Sequence, residues 1–473
     1  MTDRLNSILT GAASGNSRAS RDIAYHLHPF TNPTSLASSG PHIVSYGEGI
    51  YVKDETGKKY YEGMSGLWCA SLGFSEKLLV EAALEQFKKL PFYHSFTGKT
   101  VEPAADLAEI LISNAPVFSD SPMSKVFFAN SGSEANDTAV KMIWFYNAAQ
   151  GRPEKRKIIS RKRGYHGVTI VGASLTGLSY AQEGFGLPLD FVKHTMAPDF
   201  YNECKPGETS KEFVFRCATE LETLILKEGP DTVAAFFAEP VMGAGGVIIP
   251  PEGYYESIHE VLQKYDVLFV SDEVICGFGR TGNMWGADSF NVRPDILTCA
   301  KALSSAYLPI SAVMVSDKVY KPIVEHSDKL SLFGHGFTYS AHPVCAAVAL
   351  RAQQLMKERD IIGHVRRCAP KFSERVDRLA KYDFVGHARA IGLIGAVELV
   401  ANKPIKKKFE PNLKIAANLV AVCQEYGVIL RALPGDIIGF CPPLIINDKE
   451  LDDLFDRVEA AFDDFSRSIS RYR

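Results

Sequence analysis

The chain has 473 residues, of which 46% are hydrophobic and 23% charged, with a formal net charge of −3. This is ordinary soluble composition, in a chain long enough to bury a large core and divide into two or three domains. No Lys/Arg stripe marks a nucleic-acid partner, and no apolar run reaches the roughly 18 residues that a membrane helix needs.

The N-terminal stretch "MTDRLNSILTGAASGNSRAS" lacks the apolar core and cleavage pattern of a secretory signal and reads as a mobile leader. Nine cysteines are irregularly spaced with no CxxC pair, the pattern of a reduced, cytoplasmic protein with buried thiols. Residues 42–63, with turn signals at Gly47-Glu48-Gly49 and Glu55-Thr56-Gly57, predict a small antiparallel unit. Helical patterns follow at 100–114 and 133–150. From about 125 onward, short apolar runs alternate with helical segments: "KVFFAN", "KIIS", "AAFFAEP", "DVLFVSDEV" and "DILTCAK". Such alternation predicts an α/β fold, a mainly parallel sheet covered by helices on both faces. After about 345, long helices lead into a strand-rich patch at 388–400 and a helical C-terminus, read as a smaller α+β domain. The basic runs at 154–163 and 403–410 read as solvated edges.

Polar groups stand where the central runs end: Asn130-Ser131, Glu239, Asp272 and Lys301. Ligands of open parallel sheets bind outside the carboxyl ends of the strands, so these residues point to one crevice. Gly277, Gly279 and Gly282 match the spacing of a dinucleotide-binding turn. The strand "DVLFVS" does not run into the first glycine, however, and no helix start follows the last, so a nicotinamide site is not expected. Asp272, ending an apolar strand, needs a cationic partner, and a protonated pyridine nitrogen would serve. Lys301, among small residues after the next strand, loses solvation, so its pKa falls and its amine becomes nucleophilic. Ser131-Gly132-Ser133 opens a helix, where free amides and the helix dipole attract anions, with Ser133 also suited to cap it. Amine, buried carboxylate and anion cradle together make a kit for pyridoxal phosphate, with no metal implied.

Four stretches carry a family resemblance: "FFAEPVMGAGGVIIPPEGYY", "LFVSDEVICGFGRTG", "AKALSSAYLPISAV" and "HGFTYSAHPVCAAVAL". With "GLWCASLG", "FFANSGSEANDT" and "GYHGVT" in support, the chain from about 25 to 465 resembles the class III pyridoxal-phosphate aminotransferases of fold type I. Within them it is most similar to the ω-transaminases that move an amino group between an amine and pyruvate. The pattern along the chain is read as an N-terminal segment (1–70) joining the small domain, a large cofactor domain (71–345) and a C-terminal small domain (346–473). The resemblance implies that Lys301 carries the cofactor as a Schiff base and shuttles the proton. Asp272 would pair with the ring nitrogen, Val274 and Tyr165 would cover the ring faces, and Glu239 would sit near the ring hydroxyl. Ser131, Gly132 and Ser133 would bind the phosphate, His166 would belong to the same cofactor site, and Thr338 would reach the phosphate of a neighbouring subunit. Phe30, Trp68 and Phe96 would wall the pocket beside Tyr165, and Arg431 would accept the α-keto acid carboxylate. A homodimer or tetramer with sites at the interface is implied.

The chain departs from the family where glycines usually follow the lysine and precede the next turn, carrying Ala302 and Ala306. If those positions need positive φ, alanine costs something. Decarboxylases and aminomutases of the same family, and a non-catalytic binding protein, are the alternative readings. The amine donor and the stereochemistry are not specified by these motifs.

Overall fold

A computed structural model describes residues 16–116 and 121–469; most of the expected leader lies outside the described residues. The centre is a seven-stranded sheet. Across it lie Met123–Ala129, Ser311–Ser316, Ile296–Cys299, Leu268–Asp272, Val233–Ala238, Lys157–Arg161 and Val192–Thr195. Ser311–Ser316 runs antiparallel to both its neighbours, and the other registers are parallel. The sheet is thus mainly parallel, as expected.

The composition of the strands follows from this burial. Every residue of Val233–Ala238 is buried. Phe236 and Ala238 pack into the core on one face, while Ala235 and Phe237 pack into that on the other. Each fully buried Phe contributes about 1.5–3 kcal/mol relative to exposure. A strand covered on both sides therefore reads as a continuous apolar run rather than an alternating one.

Two further four-stranded sheets flank the centre. One contains the antiparallel unit foreseen at 42–63, as Val44–Glu48, Tyr51–Asp54 and Lys59–Glu62. Its fourth strand, Val428–Ile429, comes from far along the chain and pairs in parallel with Lys59–Glu62. The other sheet contains Val385–Ile391, Ile394–Leu399, Ile437–Phe440 and Arg431–Leu433. The motif from Gly277 to Gly282 forms turns, with no strand leading into it and only the four-residue helix Gly286–Ser289 after it. This is not the strand–turn–helix context of a dinucleotide site.

Candidate active site

The ends of the parallel strands open into one cavity of about 410 Å³. Asp272 is the last residue of its strand and pairs in register with Thr298 of the next. Lys301 follows two residues after that next strand and begins the 3-10 turn Lys301–Leu303. Ser131 lies two residues after the strand end at Ala129 and caps the 18-residue helix Gly132–Ala149, its hydroxyl accepting from Glu134 N at 3.2 Å. The cap is therefore Ser131, not Ser133. The Ser133 hydroxyl instead accepts from Val168 N at 3.0 Å, tying the helix start to the loop that carries Tyr165 and His166.

Asp272 is 3% exposed. One carboxylate oxygen accepts from Asn136 Nδ2 and His166 Nδ1, each at 2.8 Å; the other accepts from Val274 N at 3.1 Å. Asn136 is itself oriented by Thr298, whose hydroxyl donates to its Oδ1 at 2.8 Å. Among the described residues His166 Nε2 is buried without a partner, so the ring's polar tie is through Nδ1. Three donors hold this carboxylate in one orientation. Burial pushes the Lys301 pKa below that of an ordinary lysine, against the charges of Asp272, Cys69 and Glu239, which raise it. A free amine is thus available at lower pH than in solution. Glu239 accepts from Tyr165 N and Gly243 N, both at 2.9 Å, and burial raises its pKa.

Pyridoxal phosphate fits this arrangement. Gly132 and Ser133 line the cavity at the helix start, where first-turn amides have no intrahelical acceptor. At Gly132 a Cβ would lie 3.1 Å from both Val274 methyls, so a side chain there would crowd the cavity wall. The buried carboxylate suits a protonated ring nitrogen, and the desolvated amine suits a carbonyl.

The cavity gathers ten of the expected residues: Asn130, Ser131, Gly132, Ser133, Tyr165, His166, Glu239, Asp272, Val274 and Lys301. Others lie elsewhere. Trp68 is 3% exposed and packs behind the wall with Met64, Ile275 and Leu433, while its neighbours Leu67 and Cys69 line the cavity. Phe30 is exposed, edge-on to Tyr180 at 5.9 Å. Phe96 and the exposed Thr338 sit away from this cavity, Phe96 in a separate open groove beside Phe127 and His335. Arg431 stands on a strand of a flanking sheet, near enough that its charge acts on Tyr165, Tyr180 and Lys301. Sequence reasoning missed Asn136, Thr298 and Tyr180. The only signal for Asn136 was a polar residue four positions into an otherwise small and apolar helix face.

Ala306 has a φ of 60° and Lys301 one of 50°, both left-handed, whereas Ala302 does not have a positive φ. The concern about alanine thus applies at Ala306, where the conformation costs about 1–2 kcal/mol.

Residues 36–462 match the model of the family Aminotransferase class-III. Gamma-aminobutyrate transaminase 1, mitochondrial, of Solanum lycopersicum is 49% identical over 428 residues, covering 90% of this chain and 82% of its own. Vanillin aminotransferase of Capsicum chinense is 47% identical over 447 residues, covering 94% of this chain and 96% of its own. The crystal structure of the omega transaminase from Pseudomonas jessenii in complex with PMP superposes with a TM-score of 0.94 at 47% identity. That match covers 96% of this chain and 99% of the other. With a fold, a crevice and close relatives that all agree, the chain belongs to the class III aminotransferases, enzymes that work with pyridoxal phosphate.

Proposed function

We propose that this aminotransferase moves an amino group from a primary amine or ω-amino acid to pyruvate, giving a carbonyl compound and alanine. The observation that carries the reading is Arg431, a cation outside the cavity lining but near enough that its charge reaches Tyr165, Tyr180 and Lys301. A guanidinium there can take a keto-acid carboxylate through paired hydrogen bonds. The relatives' names, one for γ-aminobutyrate and one for vanillin, support a donor whose amine is terminal or benzylic.

Bound pyridoxal phosphate supplies a conjugated ring that takes up the electron pair left when the amine-bearing carbon loses its proton. Lys301 would hold the cofactor, and its amine, desolvated by burial, would remove that proton and return one. Asp272, fixed by Asn136, His166 and Val274 N–H, would pair with the protonated ring nitrogen. The Gly132 and Ser133 amides would hold the phosphate, and Tyr165 and Val274, which line the same cavity, would wall the ring. The amine binds and leaves as a carbonyl compound before pyruvate enters and leaves as alanine.

The division at residues 70 and 345 belongs to this reading, supported by the pairing of Lys59–Glu62 with Val428–Ile429. So does a homodimer that completes each site with Thr338 and Phe96 of the other chain. Its support is the exposure of the large apolar side chains Tyr25, Leu27, Phe30, Phe92, Phe96 and Tyr339. A reducing compartment such as the cytoplasm suits nine unpaired thiols.

The test is the visible absorption of the loaded enzyme during additions of γ-aminobutyrate, β-alanine, putrescine, taurine and an aromatic amine, followed by pyruvate. The reading expects one of the amines to bleach the yellow band and pyruvate to restore it. A bleached band that other keto acids restore and pyruvate does not would overturn the choice of acceptor. A band that no amine bleaches would favour decarboxylation or amino-group migration.

A further inference from the structure

Arg163 lies two residues before Tyr165, outside the cavity lining. Its guanidinium is held on one side by Asp199, Nη1 to Oδ2 at 2.8 Å, with the Asp199 side chain 5% exposed. On the other side Nε and Nη2 both donate to the Gly245 carbonyl, at 3.1 and 2.7 Å. Nη2 also reaches the Pro434 carbonyl at 3.5 Å, in the turn that follows the strand Arg431–Leu433. One side chain thus touches the loop that carries Tyr165, the loop after Glu239 and the turn beside Arg431.

The backbone is shaped around this contact. A Cβ on Gly245 would fall 2.1 Å from the Arg163 carbonyl oxygen, and one on Gly246 would fall 3.1 Å from Nη2. Arg389, from the sheet that holds Arg431, donates to the Gly246 and Val247 carbonyls and pairs with the buried Glu398 at 3.1 Å. The 245–247 backbone is therefore gripped from both sides. Only the Arg163 grip extends to the turn next to Arg431.

We infer that Arg163 is a positioning residue that sets Arg431 relative to the Tyr165 wall, and so acts on the keto-acid half of the reaction rather than on the amine half. This rests on the reading of Arg431 as the carboxylate grip. A lysine at 163 keeps a charge for Asp199 but loses the forked donation to Gly245 and the reach to Pro434, so Arg163→Lys is not conservative here.

The experiment measures the two half-reactions separately in the loaded wild-type, Arg163→Lys and Arg431→Ala proteins, using an aromatic amine without a carboxylate and then pyruvate. Alongside, the dissociation constant of propionate, which cannot react, is read by spectral titration, and the melting temperature by scanning calorimetry. Arg163→Lys should slow the pyruvate half-reaction and weaken propionate on the order of tenfold, while the amine half-reaction stays within about twofold. Arg431→Ala should show the same selectivity with a larger effect. If Arg163→Lys slows both half-reactions equally or leaves propionate binding unchanged while Arg431→Ala weakens it, the positioning role is overturned and the reading of Arg431 stands. If Arg431→Ala leaves pyruvate and propionate unaffected, that reading fails and the inference fails with it. Should Arg163→Lys not fold, Asp199→Asn loosens the same anchor and should give the same selectivity at about threefold.

Discussion

Asp272 and Lys301 stand at or two residues beyond the ends of neighbouring strands, whereas Phe30, Phe96 and Thr338 stand on exposed segments away from the cavity. The floor is thus set by sheet topology within one chain, and each of its carboxylates has its hydrogen bonds satisfied. The mouth draws on distant segments that one chain leaves partly uncovered. If the chemistry rests on the floor and the choice of substrate on the mouth, substitutions should divide accordingly.

The largest effects belong to the floor. Lys301→Ala should lower transamination by about 10⁴-fold or more with every amine, while circular dichroism shows the fold retained. Retained turnover would break the division. Asp272→Asn, which removes the charge facing the ring nitrogen, should cost roughly 10²–10³-fold in kcat. Asn136→Ala leaves Asp272 with His166 and Val274 N–H as donors and should cost about tenfold, again irrespective of donor. If the loss instead varied strongly from amine to amine, Asn136 would belong to substrate choice.

The mouth should respond by selectivity. Phe30→Ala should change the ratio of kcat/KM between an aromatic and a small aliphatic amine about threefold to tenfold, with the visible band unmoved. An equal effect on both amines would place Phe30 among the floor residues.

The smallest effect concerns Glu62, at the base of the loop that carries Leu67 and Trp68. Its buried carboxylate accepts from Met64 N at 3.3 Å and from Gly66 N, and burial pushes its pKa up to about 7. An unfolded glutamate titrates near 4.3, so between those values the folded state binds the extra proton. Stability contributed by that proton is therefore present at low pH and lost as pH rises through about 7. Glu62→Gln, which cannot ionise, should raise Tm by about 2 °C at pH 8.5, a gain that shrinks toward zero near pH 4. A gain independent of pH would mean that the glutamine packs better and the charge is immaterial.

The same division explains how much could be read in the sequence. Asn130-Ser131, Glu239, Asp272 and Lys301 were legible because a parallel sheet puts strand-terminal polar groups at one edge, and the apolar runs mark where strands stop. The direction of Ser311–Ser316 was not legible, since six mostly apolar residues look alike in either orientation. Asn136 and Thr298 were hidden because a polar residue within a helix or strand shows its partner only when both elements are packed. Trp68 matched a motif, but its neighbours Leu67 and Cys69 reach the cavity while the indole fills the space behind. For Thr338 no single-chain pattern could give its surroundings if, as proposed, it serves the site of a second chain.

The central claim is that Lys301 carries the cofactor on a floor built by one chain. Borohydride reduction of the loaded enzyme, followed by peptide mass spectrometry, tests it most directly. The account predicts the mass of the reduced cofactor on the peptide that contains Lys301 and on no other lysine. Label on a different lysine, or none on a protein that shows the yellow band, would contradict it.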